Sequence, residues 1–365
     1  MPRTSHWILR GLSHLDGVLL TLVLLLGISL AVVASASGQS PARISGHLIN
    51  IGLALGVMVV MANVPPHLLS RVGPSLYAAG VVLLIGVALF GEVRNGARRW
   101  LDLGFMAFQP SELLKLALPL MLAWHFQRNE GQLRAQHFLA GAALLLVPFL
   151  LILRQPDLGT ALMIGASGFY LLFFAGLPWK IILGGGALGA ASLPVVWGLM
   201  HDYQQRRVLT LLDPTSDPLG DGYHIIQSTI AIGSGGLFCK GWMQGTQNQL
   251  DFIPERTTDF IFAVFGEEFG YIGAILLVGL YLAIVARGLV IAARAPTLFG
   301  RLMAATLSLN LFTYVFVNMG MVSGILPVVG VPLPLMSYGG TALITLLLGI
   351  GILMSVATHR QLNKS

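Results

Sequence analysis

Long apolar runs alternate with short polar segments along almost the whole chain. None of these runs alternates polar with apolar residues, as a half-buried strand does. An α-helix needs about 20 largely apolar residues to cross a bilayer. The pattern therefore predicts an all-α, polytopic membrane protein with about ten transmembrane helices. The apolar runs lie near residues 16–37, 45–63, 72–91, 112–126, 137–153, 158–175, 179–199, 260–286, 300–323 and 339–357.

Composition agrees with a location in the lipid bilayer and with a single unit. Of the 365 residues, 55% are hydrophobic and 10% are charged, and the mean hydropathy is +0.80. Soluble domains carry roughly 25% charged residues. No polar stretch is long enough to build a second core, so we expect one membrane domain over residues 1–365. The single cysteine, Cys239, excludes an intrachain disulfide and a cysteine-based metal site.

The positions of the basic residues predict the orientation. The formal net charge is +6, but most basic residues flank apolar runs, so the charge does not indicate nucleic-acid binding. The run from Gly17 to Ala36 is longer than a typical signal segment, so we expect it to be retained as the first helix. Lys and Arg in short loops favour the cytoplasmic side, which predicts that both termini are cytoplasmic. Short outer segments then hold only Arg43 and Arg154, whereas the inner segments hold Arg3, Arg10, Arg71, Arg128, Arg134, Lys180, Arg287, Arg294, Arg301, Arg360 and Lys364.

The longest loop, about residues 200–258, is expected on the extracytoplasmic side. It opens with polar residues and with the Pro and Gly of turns, and we expect a short helix at 225–232. A loop of this length is usually functional or disordered, and its aromatic and apolar content argues against disorder. The chain has no visible internal repeat of the kind that many transporters carry.

Three helices that begin on the outer side have polar starts: QPSELLK at 109–115, RTTDF at 256–260 and LMSYGG at 335–340. Each start offers a hydroxyl as a predicted N-cap, from Ser111, Thr258 and Ser337. Free N–H groups at helix starts favour an anion such as phosphate. Ordinary capping explains any one of these starts, but three of them together favour an anion-binding site.

Ionisable residues within apolar spans indicate function. Glu112 and Lys115 are three residues apart on one helical face and can pair. Asp259 stands at the outer edge of the eighth span, near enough to the surface to meet a polar substrate. Glu255 precedes it by one turn if the helix extends outward.

Other features have simpler interpretations. Glu267 lies about 12 Å deeper than Asp259 along a helix, and Glu268 faces nearly the opposite side from Asp259. We favour structural pairing for at least one of these two acids. The chain has no phosphate-binding Walker loop, serine-hydrolase elbow, zinc-protease motif or EF-hand.

Three stretches resemble a known family. They are QNQLDFIPERTTDFIFAVFGEEFG at 247–270, RRWLDLGFMAFQPSELLKL at 98–116 and PLPLMSYGGTAL at 332–343. Together they resemble the SEDS proteins of shape, elongation, division and sporulation, from the first span to the last. The segment at 225–256 is more similar to the elongation (RodA) branch than to the division (FtsW) branch.

The resemblance implies a ten-helix fold and a peptidoglycan glycosyltransferase that polymerises lipid II during elongation and rod-shape maintenance. The reaction would occur at the outer face of the bacterial cytoplasmic (inner) membrane. The family's catalytic aspartate matches Asp259, and its Glu and Lys at the start of the fourth helix match Glu112 and Lys115. Asp251 stands where relatives often have Glu. The family works with a class B penicillin-binding protein, the transpeptidase of the elongation complex.

The residue types suit glycosyl transfer. A carboxylate with a pKa of about 3.9 cannot ionise a sugar hydroxyl in advance. It can take the proton as the bond forms, which is worth about 10²–10⁴ in rate. The leaving pyrophosphate needs positive charge from Lys115, from outer-loop arginines such as Arg98, from helix N-termini or from a divalent cation such as Mg²⁺. Asp259 can instead hold that cation. The predicted substrate-binding residues are Glu112, Lys115, Arg98, Glu255, Thr258 and Ser337.

Three alternatives remain open at this point. A lipid II flippase or other transporter shares the helices, the intramembrane charges and the amphiphilic cargo. The missing repeat and the polar motifs on one side count against it. A non-catalytic scaffold would leave Asp259 without a role. A division-type (FtsW) member of the same family is the third alternative.

Overall fold

The computed structural model describes residues 16–94, 97–102, 107–155, 157–200, 202–217 and 220–359. Seven long helices come first: α1 (Asp16–Ala36), α2 (Pro41–Ala62), α3 (Pro66–Phe90), α4 (Pro110–Arg128), α5 (Ala135–Leu153), α6 (Leu158–Phe174) and α7 (Trp179–Leu199). A segment of shorter helices follows, with α8 (Asp202–Leu212), a 3-10 turn (Pro214–Ser216), α9 (Asp221–Ser234) and α10 (Thr246–Gln249). The last three helices are α11 (Ile261–Arg294), α12 (Leu298–Val322) and α13 (Gly340–Thr358).

Each of the ten predicted spans corresponds to one long helix, so the polytopic all-α prediction is confirmed. Eight of these helices are long and apolar enough to cross a membrane, and α6 is a shorter apolar helix. The tenth, α4, carries Glu112 and Lys115 in its first two turns. We call the face formed by the described residues 37–40, 91–94, 97–102, 107–109, 154–155, 157, 200, 202–217, 220–260 and 323–339 the loop face. It corresponds to the predicted outer side. The helix expected at 225–232 lies within α9.

A small antiparallel sheet lies on the loop face between α3 and α4. Its strands are β1 (Glu92–Arg94), β2 (Ala97–Asp102) and β3 (Ala107–Phe108), in the order β1-β2-β3. In the register of β1 and β2, Val93 pairs with Arg98. The long apolar runs contain none of these strands, which occupy a connecting loop.

Most of the helices pack around the two larger of three apolar clusters. One cluster joins α1, α2, α11 and α13, with Leu22, Met58, Phe265 and Leu347 among its buried members. The other joins α3, α4, α5 and α6. Helix α12 contributes side chains to both clusters. The space between two separately packed groups of helices is where a membrane protein can hold a cavity.

Gly270 interrupts α11. Its φ of 66° and ψ of −170° are not helical, and this region of φ strongly favours glycine. The turn after α9 enters the break, because Tyr271 donates its backbone N–H to Gly236 O at 2.9 Å. A Cβ at position 270 would lie 2.6 Å from the backbone N of Cys239. Any side chain at this position would therefore push the loop out of the break.

The long loop is also attached to α11 through Glu267. The Glu267 side chain is fully buried and accepts hydrogen bonds from Lys240 Nζ at 2.7 Å, from Thr246 Oγ1 at 3.1 Å and from the Gln247 N–H at 3.0 Å. This is the structural pairing expected for one of the two acids. Glu268 accepts a short hydrogen bond from Ser35 Oγ of α1.

Candidate functional site

Glu112 and Lys115 form a half-buried ion pair in the first two turns of α4. Lys115 Nζ lies 2.5 Å from Glu112 Oε1, and the two side chains are 15% and 16% exposed. The i,i+3 pairing predicted from the sequence is thus confirmed. The Lys115 ammonium also lies 5.4 Å from the centre of the Tyr314 ring of α12. This cation–π contact fixes the charge at one place in the helix bundle.

The ion pair lines a cavity of about 270 Å³ between the two packing clusters. Four polar lining residues, Gln109, Glu112, Lys115 and Asp157, lie at the loop-face ends of α4 and α6, and Ser308, Asn310 and Tyr314 lie along the middle of α12. Toward the opposite face the lining is mainly apolar and includes Val18, Ile284, Ile350 and Leu353. A space that is polar at one end and apolar along the rest fits an amphiphile with a polar head and a hydrocarbon chain.

Asp259 stands two residues before α11 on a segment that is held by the α12–α13 connection. Asn318 Nδ2 donates to the backbone O of Asp259 at 2.7 Å and to Val331 O at 2.7 Å. Ser337 Oγ donates to Thr258 O at 2.7 Å. These bonds hold the backbone carbonyl groups of Thr258 and Asp259, and the Asp259 carboxylate takes no part in them.

The Asp259 carboxylate lies at the edge of the cavity and does not line it. A Cβ on Gly330 would lie 3.5 Å from Asp259 Oδ2, and Gly330 is itself a lining residue. Burial, together with the smaller effect of the nearby Glu255 carboxylate, raises the pKa of Asp259 to about 6. At pH 7 such a group is about 90% ionised, and it binds a proton far more readily than an ordinary aspartate.

Glu255 lies close to Asp259 in a different geometry from the one expected. Helix α11 does not extend outward to it, since α11 begins at Ile261. Glu255 instead adopts a left-handed backbone with φ of 46°, and its Oε2 accepts a hydrogen bond from Thr258 Oγ1 at 3.0 Å. A tight turn, rather than a helical turn, therefore brings the two carboxylates near each other.

The three predicted N-caps are wrong. Ser111 is the second residue of α4 and is buried, and the N-cap residues are Gln109, Phe260 and Gly339, none with a side-chain cap. The hydroxyls of Thr258 and Ser337 donate to carbonyl or carboxylate oxygens of neighbouring segments. Thr258 and Ser337 each lie two residues before the N-cap of the following helix, because a turn precedes that helix. The expected anion site depends on the backbone N–H groups of these helix starts and not on side-chain caps, so it stays a prediction.

Each predicted substrate-binding residue has a definite place apart from Arg98. Arg98 lies in β2, and its side chain is outside the described part of the chain. Glu112 and Lys115 meet in the cavity, whereas Glu255, Thr258 and Ser337 surround the backbone of Asp259. The pair of Glu112 and Lys115 and the segment that carries Asp259 thus meet at Gly330, which lines the cavity and lies next to the Asp259 carboxylate.

Sequence reasoning missed several members of the site. Asp157 caps α6 by accepting from the Thr160 N–H at 3.1 Å, and an acid directly before an apolar run was a signal for it. Arg43 of α2 donates to Thr257 Oγ1 at 3.3 Å, which brings a guanidinium to the segment that carries Asp259. Tyr314 and Asn318 lie inside an apolar run and carried no local signal.

No cluster of three or more His, Cys, Asp or Glu that could hold a metal ion occurs among the described residues. Asp259 and Glu255 are the two carboxylates near each other at the candidate site. Magnesium is often bound by one or two carboxylates together with substrate phosphates. Any cation here would depend on the substrate for part of its coordination.

These features define a polytopic helical membrane protein with an intramembrane cavity, an ion pair at its polar end and a protonatable acid at its edge. The family model for FtsW, RodA and SpoVE, described as a cell cycle protein, matches residues 12–362. The chain belongs to this family, the SEDS proteins, as the sequence motifs predicted.

Two solved structures and one curated relative show the likeness across the whole chain. The peptidoglycan glycosyltransferase MrdB of Escherichia coli (strain K12) is 53% identical over 351 residues, covering 96% of this chain and 95% of that protein. A structure described as structural coordination of polymerization and crosslinking by a peptidoglycan synthase complex has a TM-score of 0.82 at 37% identity, covering 95% and 98% of the two chains. The rod shape determining protein RodA of Thermus thermophilus has a TM-score of 0.71 at 31% identity, covering 94% and 97%.

Proposed function

We propose that this chain, a peptidoglycan glycosyltransferase of the RodA type, polymerises lipid II with Asp259 as general base. The observation that carries the proposal is the place of Asp259. It is a half-buried carboxylate with a pKa of about 6, at the mouth of a cavity that suits an amphiphilic substrate. The resemblance in sequence and the likeness to MrdB support the same activity.

The reaction is a single inverting displacement. The acceptor hydroxyl oxygen attacks the anomeric carbon of the lipid-linked donor, and the bond from that carbon to the pyrophosphate oxygen breaks. The hydroxyl proton passes to the Asp259 carboxylate. Because the donor is α-linked and the product β-linked, one base is sufficient and no covalent intermediate is needed. General-base assistance of this kind contributes about 10²–10⁴ in rate.

Lys115 supports the departure of the pyrophosphate. Its ammonium is held by Glu112 and by the Tyr314 ring at the polar end of the cavity. A fixed cation stabilises charge that develops on the leaving group without having to reorganise. Arg43 supplies a second cation on the Asp259 segment. If Mg²⁺ also takes part, Asp259 and Glu255 are the residues that would hold it, and it would neutralise the same pyrophosphate.

The apolar length of the cavity would receive the first part of the polyprenyl chain. This arrangement sets the sugar and pyrophosphate at the loop face, where the bilayer meets water. The excess of Lys and Arg on the opposite face supports an orientation with both termini in the cytoplasm. The reaction would then take place at the periplasmic face of the bacterial inner membrane.

A class B penicillin-binding protein is the proposed partner. The structural likeness to a peptidoglycan synthase complex supports it, as does the family resemblance. Such a transpeptidase would crosslink the strands that this chain makes within the elongation complex. Division-type activity is disfavoured by the greater similarity of residues 225–256 to the elongation branch.

A reconstitution experiment tests the proposal against the flippase alternative. Purified protein, alone and with a class B penicillin-binding protein, is placed in liposomes with labelled lipid II in the leaflet that faces Asp259. We expect glycan strands that a muramidase digests. Movement of lipid II between leaflets without polymer would support the transporter and would refute the proposal.

A further inference from the structure

A second cavity lies on the loop face, between the end of α1 and the segment that precedes Asp259. Its volume is about 320 Å³, and none of its lining residues lines the first cavity. We call it the loop chamber and define it by Ser35, Gln39, Asn248, Gln249, Asp251 and Arg256. Neither the proposed base nor the ion pair of α4 takes part in it.

Asn248 contributes a buried amide to the wall of the loop chamber. Its side chain is only 3% exposed, and its Nδ2 donates to the backbone O of Ser35 at 3.2 Å. That bond fixes the orientation of the amide, because the reverse orientation would set two oxygens against each other. Within the described part of the chain, Asn248 Oδ1 has no hydrogen-bond partner. Asn248 thus ties the loop to the end of α1 and shapes this wall of the chamber.

The charges in the loop chamber cancel. The Arg256 guanidinium donates to the Asp251 carboxylate and to the backbone O of Asn248 in short bonds. Arg256 Nη1 is thereby engaged with two protein oxygens, and the lining of the chamber holds one acid and one base. The amide side chains of Gln39 and Gln249 add further neutral polar groups. The chamber is suited to a neutral ligand with many hydroxyl and amide groups.

The backbone of the loop chamber is held in an unusual conformation. Gln39, Met243 and Asp251 all line it and have left-handed φ values of 59°, 62° and 59°. Residues other than glycine seldom adopt this region, and such residues gather at ligand sites. Three such residues around one cavity indicate that the surrounding fold holds the backbone there in a conformation that these residue types disfavour.

We propose that the loop chamber binds sugar rings of the glycan strand, remote from the lipid. This inference rests on the proposed polymerase function. The volume lies near the lower end of the roughly 300–1,000 Å³ typical of small-ligand pockets, which suits one or two sugar rings. The Cα atoms of Arg256 and Asp259 are within about 11 Å of each other, the reach of three residues. A strand engaged at Asp259 therefore has the chamber beside it.

A polypeptide from a partner fits the loop chamber less well. Met243 is the only large apolar side chain in its lining, whereas protein interfaces depend on buried apolar or aromatic anchors. Sugars are bound through planar polar side chains, and the chamber has three amides, a carboxylate and a guanidinium. The chemistry thus favours a carbohydrate.

Binding of a lipid-free tetrasaccharide of alternating N-acetylhexosamines is the direct test. We expect saturable binding to the wild type, weakened at least tenfold by Asn248→Ala and by Gln249→Ala. Gln249 is exposed and its amide contacts the protein through one hydrogen bond to Met243 O, so its truncation is a local change. The matched control is Gln132→Ala, an exposed glutamine between α4 and α5, which should bind like the wild type. No binding to the wild type, or equal weakening by Gln132→Ala, would overturn the proposal.

Product length gives a second measurement. In the polymerisation assay, the chamber variants should make strands at least threefold shorter, while the first transfer between two lipid II molecules stays within twofold of the wild-type rate. Equal loss of the first transfer and of strand length would overturn the glycan subsite. Chamber variants that no longer bind the transpeptidase but still bind the tetrasaccharide would also overturn it, because the chamber would then be a binding site for the partner. Failure of the wild type to polymerise would count against the proposed function alone, because tetrasaccharide binding needs no turnover.

Discussion

Replacement of Asp259 by asparagine should abolish polymerisation and at the same time stabilise the protein. Asparagine keeps the size of the side chain, and the bonds from Asn318 and Ser337 reach only backbone oxygens of this segment. The fold should therefore tolerate the change. Without a carboxylate to receive the proton, we expect the turnover rate to fall by about 10²–10⁴.

The stability gain follows from the raised pKa. A rise from 3.8 to about 6 means that the fold disfavours the ionised Asp259 by about 3 kcal/mol at most. Between about pH 4 and pH 6 the folded protein binds the proton more tightly than the unfolded chain. Wild-type stability should thus fall as the pH rises through this window. The asparagine variant lacks this loss, so it should be more stable than the wild type at pH 8 and about equally stable at pH 4.

Thermal unfolding in mild detergent at pH 4, 6 and 8 checks the effect on stability. Polymer formed per folded molecule at pH 8 checks the effect on turnover. Asp213→Asn is the matched control, because it removes the same charge from an exposed turn on the loop face. It should change neither property. Turnover within threefold of the wild type, or a lower Tm than the wild type at pH 8, would refute the reasoning for Asp259.

Three further predictions concern neighbouring groups and the orientation. Glu255→Gln removes the charge that adds to the raised pKa of Asp259, so the acidic limb of the pH–rate profile should move to lower pH; an unchanged limb would contradict this. Glu267→Gln breaks the ion pair with Lys240 and should lower the free energy of unfolding by up to about 3–5 kcal/mol, which thermal unfolding measures. Activity per folded molecule should stay within threefold of the wild type. A normal Tm with lost activity would instead show a direct catalytic role. Cys239 is exposed, so a membrane-impermeant thiol reagent should label it in intact spheroplasts, and labelling only after lysis would reverse the proposed orientation.

The sequence was most informative where the interactions are local. Hydropathy depends on neighbouring residues, so all ten spans were predicted, and the pair of Glu112 and Lys115 follows from helical spacing alone. The break at Gly270 could not be predicted, because the loop that enters it comes from more than 30 residues earlier in the chain. Asn318 sits in an apolar run, and only tertiary structure shows that it binds the Asp259 segment.

The predicted N-caps fail for a related reason. Capping propensity identifies a suitable residue type but not the residue at which a helix begins, and tertiary contacts of Thr258 and Ser337 extend the turns before these helices. Asp259 itself was assigned through the family resemblance. Its raised pKa depends on burial and on Glu255, and neither can be deduced from a linear pattern.

The interruption of α11 bears on how the protein tolerates membranes of different thickness. The 34 residues of α11 would extend about 51 Å as one straight helix, well beyond a hydrocarbon core of about 30 Å. The part after Gly270 alone reaches about 36 Å, which is enough to cross with some tilt. A thinner or thicker bilayer can then be accommodated by the tilt of this part, while the part before Gly270 stays fastened to the loop through Glu267. The position of Asp259 relative to the membrane surface is therefore independent of the bilayer thickness.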